Sequence, residues 1–110
     1  MATGRPKKMR VTVVKKLDMR DIFGDEDTGC ADTMDPICGA FKIGDEFIID
    51  GGGCPPGFCA GAFTDLFKWI SGMRAGADYC WMKKPGLMYG ACSDGLRPVI
   101  FKLERLDEEM

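Results

Sequence analysis

Cys59-Ala-Gly-Ala-Phe-Thr-Asp-Leu-Phe-Lys-Trp-Ile-Ser-Gly-Met73 is the stretch that decides the fold. Its Cys59, Ala62, Phe63, Leu66, Phe67, Ile70 and Met73 fall at offsets 0, 3, 4, 7, 8, 11 and 14. That is the spacing of one apolar stripe on an α-helix. It predicts a single main amphipathic helix over about residues 59–73, with Cys59 at its head and on its buried face. Gly72 and Gly76 mark its end. Upstream, Gly51-Gly-Gly53 and Pro55-Pro56 exclude a regular element between Asp50 and Cys59.

A striped helix needs a partner layer, and the two ends of the chain supply it. Met9-Arg-Val-Thr-Val-Val-Lys15 is rich in β-branched residues and puts Met9, Val11 and Val13 on one face. Pro98 to Leu106 alternates Val99, Phe101 and Leu103 inward with Lys102 and Glu104 outward. The two strands are expected to pair in a small, mainly antiparallel sheet with the helix packed on it, an α+β fold. Phe41 to Ile49 reads as a turn at Gly44-Asp45 feeding a short strand whose Phe47 and Ile49 share a face. Asp18 to Thr28 reads as a loop or short helical turn anchored by Ile22 and Phe23. Residues 77–91 read as irregular, with a turn at Pro85-Gly86 and a short strand at Leu87 to Tyr89. The organisation expected is a flexible start (1–8), one cysteine-rich domain (9–106) and a flexible tail (107–110).

The 110 residues suit one domain, and 45% hydrophobic with 29% charged residues is a globular balance. A net charge of −2 gives no electrostatic reason to expect nucleic acid or an anionic membrane as a partner. The basic start (Arg5, Lys7, Lys8, Arg10, Lys15, Lys16), the acidic run from Asp21 to Asp27 and the closing Asp107-Glu-Glu109 read as solvated faces. Met1 to Arg10 is polar and basic with no apolar segment behind it, so a secretory signal is not expected. No apolar run approaches the roughly 18 residues of a membrane span. The expected location is the cytoplasm, whose reducing conditions disfavour structural disulfides.

Six cysteines without one histidine are the chemical signal. Cys30, Cys38, Cys54, Cys59, Cys80 and Cys92 are separated by 7, 15, 4, 20 and 11 residues, so no C-x-x-C zinc or ferredoxin spacing occurs. Glycine- and proline-rich loops can still aim several sulfurs at one point. Cys59, at a helix N-terminus, is in a position that favours a thiolate. Cys38, before Gly39, and Cys92, before Ser93-Asp94-Gly95, are loop thiols beside turns. These three are the candidate shared site, with Cys30 or Cys54 as a fourth metal ligand. Cys80 reads as packing. An all-thiolate set selects zinc, copper(I) or iron–sulfur clusters. Aromatic neighbours (Phe58, Phe63, Trp69, Trp81) would limit solvent, which favours a cluster, while the eight methionines read as packing residues.

Other motifs carry less. Gly51-Gly-Gly53 lacks the Lys-Ser/Thr of a phosphate loop. Without histidine there is no Ser–His or Cys–His dyad. Asp45 with Glu46, and Asp50 with Asp65, read as turn carboxylates before acid–base pairs. Asp94 and Arg97 are expected to form a turn salt bridge beside Cys92, with Asp94 capping its own loop. The arginine is a cation that could balance an anionic cluster.

Three segments together carry a resemblance: Cys38-Gly-Ala-Phe-Lys-Ile-Gly-Asp-Glu-Phe47, Pro56-Gly-Phe-Cys-Ala60 and Cys92-Ser-Asp-Gly-Leu-Arg-Pro-Val-Ile-Phe-Lys-Leu-Glu-Arg105. Over about residues 9–106 the chain resembles a family of small uncharacterised cysteine-containing proteins found mainly in anaerobic bacteria and archaea. The resemblance implies an anaerobic cytoplasm and three central thiols, at Cys38, Cys59 and Cys92. Cys54 and Cys80 look like additions of this chain. Three sulfurs without an obvious fourth suit a cluster with an open iron, a cluster shared between two copies of the chain, or a non-cysteine ligand.

The functional expectation is a small thiolate-ligated metal protein with an iron–sulfur cluster of the [4Fe–4S] type, in electron transfer or as accessory to a redox partner protein. Zinc is the alternative metal. The competing readings are a thiol-based redox protein with Cys59 as nucleophile, and a non-catalytic interaction module with structural zinc.

Overall fold

The computed structural model describes residues 5–110. The elements in chain order are β1 (Lys7–Lys16), α1 (Met19–Phe23), β2 (Glu46–Ile49), α2 (Ala60–Arg74), β3 (Leu87–Ala91) and β4 (Val99–Glu109). The strands form one antiparallel sheet in the order β2-β1-β4-β3, and the terminal strands β1 and β4 are its centre. Val11 stands opposite Leu103 and Val13 opposite Phe101, so the alternation of both strands aims the same face at the helix. Met9, Val11, Val13, Val99, Phe101 and Leu103 are all fully buried. Leu66, Ile70 and Met73 of α2 close the core from the other side.

Helix α2 lies over β3. A Cβ placed on Gly90 would stand 2.7 Å from Leu66 Cδ2 and 3.3 Å from Trp69 Cδ1, so the absence of a side chain at Gly90 sets how closely helix and strand approach. The helix runs one residue later than the spacing predicts, and its stripe is narrower. Cys59 is the N-cap, extended at φ −65° and ψ 122°, and its side chain is exposed. The expectation that Cys59 heads the buried stripe is therefore corrected: an N-cap residue lies off the helical spiral, so helical periodicity does not govern its direction. Phe63 and Phe67 are half-buried on the flank, packed on each other with ring centroids 5.6 Å apart. Gly72 lies inside α2. The stop comes at Gly76 (φ 109°), whose N–H donates to the Met73 carbonyl.

Four further expectations change. Residues 107–110 do not stand apart as a tail: β4 continues to Glu109, and Met110 N–H donates to the Pro6 carbonyl at 2.8 Å. Lys7 pairs with Glu109 and Lys8 with Glu108, so the basic start and acidic end complement each other across β1 and β4. At the start, β1 begins at Lys7, inside the segment expected to be flexible, and residues 1–4 lie outside the described residues. Helix α1 buries no side chain and leaves Ile22 exposed. Its anchor is the backbone: Asp18 caps it, and Met19 N–H donates to the Pro36 carbonyl. Strand β3 runs two residues past Tyr89 to Ala91, which brings Cys92 to the strand's end.

Among the described residues, no helix is long and apolar enough to cross a membrane. The molecule measures 52 × 30 × 20 Å, elongated because β1 and β4 outrun their short neighbours.

Candidate functional site

Cys38, Cys59 and Cys92 line one cavity of about 300 Å³ at the end of the sheet where β4 begins. Its walls include Phe41, Ala62 and Val99, all buried, together with Asp65, Ser93 and Asp94. The three cysteines come from three different segments: the loop before β2, the N-cap of α2 and the residue after β3.

Three local devices bring them together. Cys92 N–H donates to the Val99 carbonyl at 3.1 Å, and Val99 N–H donates to Cys92 Sγ at 3.2 Å, which closes the β3–β4 connection on itself. Within that connection Asp94 Oδ1 accepts from the backbone N–H groups of Leu96 and Arg97, an Asx-type turn. Those two hydrogen bonds, with the Arg97 charge, hold the Asp94 carboxyl below the ordinary carboxylate range. The expected Asp94–Arg97 salt bridge does not form. The Arg97 guanidinium instead donates through Nη1 to the Asp35 carbonyl at 2.9 Å, which draws the Cys38 loop against the Cys92 loop. On the third side, Asp65 Oδ2 of α2 accepts from Ser93 N–H at 2.6 Å, which ties the Cys59 helix to the same loop.

The other cysteines stand elsewhere. Cys30 Sγ lies 3.8 Å from Met19 Sδ, and Cys54 Sγ faces the carbonyls of Pro55 and Phe58. Neither lines the cavity, so the structure does not bring either to the position of a fourth ligand. Cys80, read as packing, is exposed. All six cysteines are free thiols. Of the aromatic residues expected around the site, Phe58 is buried beside Cys59 and packs edge-on to Phe63. Trp81 is not part of the site. It is 62% exposed and stacks on Tyr79, with Trp69 beside both, toward the far end of α2. The reason is local: residues 77–84 fold back on the C-terminal half of the helix, while the cavity forms at its N-terminus.

The paired carboxylates considered above are not pairs. Asp45 accepts from Lys42 N–H, Asp50 meets Lys8, and Asp65 is held by Ser93. Asp65 as a cavity residue is the feature sequence reasoning missed. The available signal was the i, i+3 pair of Ala62 and Asp65, neighbours on the surface of the helix that Cys59 caps.

Among the described residues, no three Cys, Asp or Glu side chains already converge tightly enough to hold a single metal ion. The three cysteines instead line a shared cavity. One buried side-chain polar atom among the described residues lacks a partner, Arg97 Nε, on the loop that carries Cys92. Comparison of the chain with protein-family models, with curated proteins and with solved structures found no match.

Proposed function

We propose that this chain is a small iron–sulfur protein in which Cys38, Cys59 and Cys92 hold a cluster of the [4Fe–4S] type. It serves electron transfer, or assists a redox partner protein, in an anaerobic cytoplasm. The observation that carries the reading is that cysteines 21 and 33 positions apart line one cavity, while the remaining three do not.

The donor set fits such a group. Thiolates are soft ligands suited to iron–sulfur clusters and zinc. A single tetrahedral zinc with Zn–S distances of about 2.3 Å requires its sulfurs within about 4 Å of one another. Cysteines spread around about 300 Å³ suit a polyatomic group better. The buried Phe41, Ala62 and Val99 would limit solvent, and the Val99 N–H on Cys92 Sγ is the kind of hydrogen bond that tunes a cluster's potential. Arg97, on the loop that carries Cys92, adds a cation whose Nε is unpaired among the described residues while its Nη1 holds the Asp35 carbonyl. When bound, the cluster would supply one-electron redox chemistry. The chain's own residues provide the thiolates, the apolar wall and the compensating charge.

Protein prepared without oxygen tests this. The expected result is brown protein with broad absorbance near ~400 nm, iron and sulfide in equal amounts, and loss of both in C38S, C59S and C92S. Colourless protein with stoichiometric zinc overturns the cluster and leaves the zinc alternative. One observation favours a second reading, a thiol-based redox protein: Cys59 is exposed at a helix N-cap. That reading requires Cys59 to alkylate far faster than the other five thiols in metal-free protein at neutral pH.

A further inference from the structure

The geometry points to Asp65 as the fourth ligand of the cluster, so that three thiolates and one carboxylate hold it; this rests on the reading above. Asp65 shares the cavity with the three cysteines and stands three residues after Ala62, another residue of the cavity wall, on α2. Its carboxylate is already oriented, because Oδ2 takes the Ser93 N–H at 2.6 Å. Among the described residues Oδ1 takes no hydrogen bond, and a carboxylate has about four acceptor positions in all.

The alternatives within the chain are committed or distant. Asp94 also lines the cavity, but its carboxylate already takes two backbone N–H groups, those of Leu96 and Arg97, and holds its own turn, whereas Asp65 takes one. Cys30 and Cys54 face Met19 and their own loop, and neither they nor Cys80 line the cavity. An oxygen donor among three sulfurs is the harder and more exchangeable ligand. It marks one corner of the group as the place where a small external donor can displace protein. That separates this site from an all-cysteine cluster, whose four soft thiolates offer no such exchangeable corner.

The test compares full-length wild type, Asp65→Asn and Asp65→Cys, each reconstituted anaerobically with iron and sulfide. D65N keeps an oxygen acceptor for Ser93 N–H, so the fold survives while the ionised ligand is lost; thermal melts of the metal-free proteins check this. The expected result is about tenfold faster loss of iron to a chelator in D65N, with the rate restored to wild type or slower in D65C. Added 2-mercaptoethanol is expected to shift the visible and electron paramagnetic resonance spectra of wild type and leave those of D65C unchanged. Iron-loaded wild type whose chelation rate and spectra match D65N and D65C overturns the Asp65 ligand while leaving the three-cysteine cluster standing. Wild type that takes up no iron overturns the cluster reading itself, and the ligand with it.

Discussion

Substitution of Gly90 by alanine tests how α2 is seated on β3. The added Cβ would meet Leu66 Cδ2 at 2.7 Å and Trp69 Cδ1 at 3.3 Å, where carbon atoms prefer about 3.5–4.0 Å. Leu66 is fully buried and cannot swing into solvent, so helix or strand must give by most of an ångström. Overpacking of this kind costs about 1–3 kcal/mol. Gly90 does not have a positive φ, so alanine adopts its backbone freely and recovers about 0.4–1 kcal/mol by restricting the unfolded chain. The net expectation is a loss of about 1–2 kcal/mol. With an unfolding entropy of about 2.1 cal/mol/K per residue, G90A should melt roughly 4–9 °C below wild type. Thermal melts and urea titration of the metal-free protein read this directly. The companion variant is Leu66→Val, which removes the clashing δ-methyls. In that background G90A should cost about 1 kcal/mol less than in wild type, a coupling that a double-mutant cycle isolates. Equal costs in the two backgrounds, or a G90A protein melting within a degree of wild type, would refute the claim that side-chain contact at Gly90 sets the helix–sheet distance.

Arg97→Ala removes the Nη1 hydrogen bond to the Asp35 carbonyl and is expected to cost about 1 kcal/mol by urea titration. It should also lower iron retention, because the Cys38 loop is released from the Cys92 loop. Asp94 and Asp78 are both held below the ordinary carboxylate range, Asp78 chiefly by the Gly86 N–H and then by Arg105. Depressed carboxyls stabilise the fold above the unfolded-state pKa near 3.8 and lose that contribution as pH falls through the lower folded value. Melting temperature should therefore hold from pH 7 to about pH 5 and fall below about pH 4, and the gap between wild type and D94N should close as the pH drops. C30S, C54S and C80S are each expected to keep wild-type iron content, measured beside the three cavity variants.

The fold was legible where a single periodicity governs a whole element. Val11, Val13, Phe101 and Leu103 read as inward strand residues, and Leu66, Ile70 and Met73 as a helix stripe, because burial imposed periods of 2 and 3.6 on them. Periodicity fails at ends. Cys59 was placed on the buried face because it extends the stripe arithmetically, yet the N-cap turns it outward. The end of β4 was misread because Asp107 to Glu109 looks solvated when taken alone. Only pairing with Lys7 and Lys8, some hundred residues away, makes it a strand. The meeting of Cys38, Cys59 and Cys92 in one cavity was anticipated from loop chemistry and resemblance. The contacts that bring it about, Arg97 to Asp35 and Asp65 to Ser93, join residues 62 and 28 positions apart and leave no local pattern. Polar links of that kind answer to tertiary geometry, which no window of sequence encodes.

The long central ribbon separates two ends of the molecule with different tolerances. Pro6 and Met110 meet at one tip, whereas the cavity opens beside Val99, where β4 starts. At about 3.4 Å per step, the eleven residues of β4 from Val99 to Glu109 put roughly 34 Å between them. Affinity tags, fluorescent fusions or a peptide splicing the two termini would therefore all attach far from the cavity. A circular permutant joined at that tip, and reopened elsewhere, is a practical way to present the cysteine end to an electrode or a partner without disturbing it.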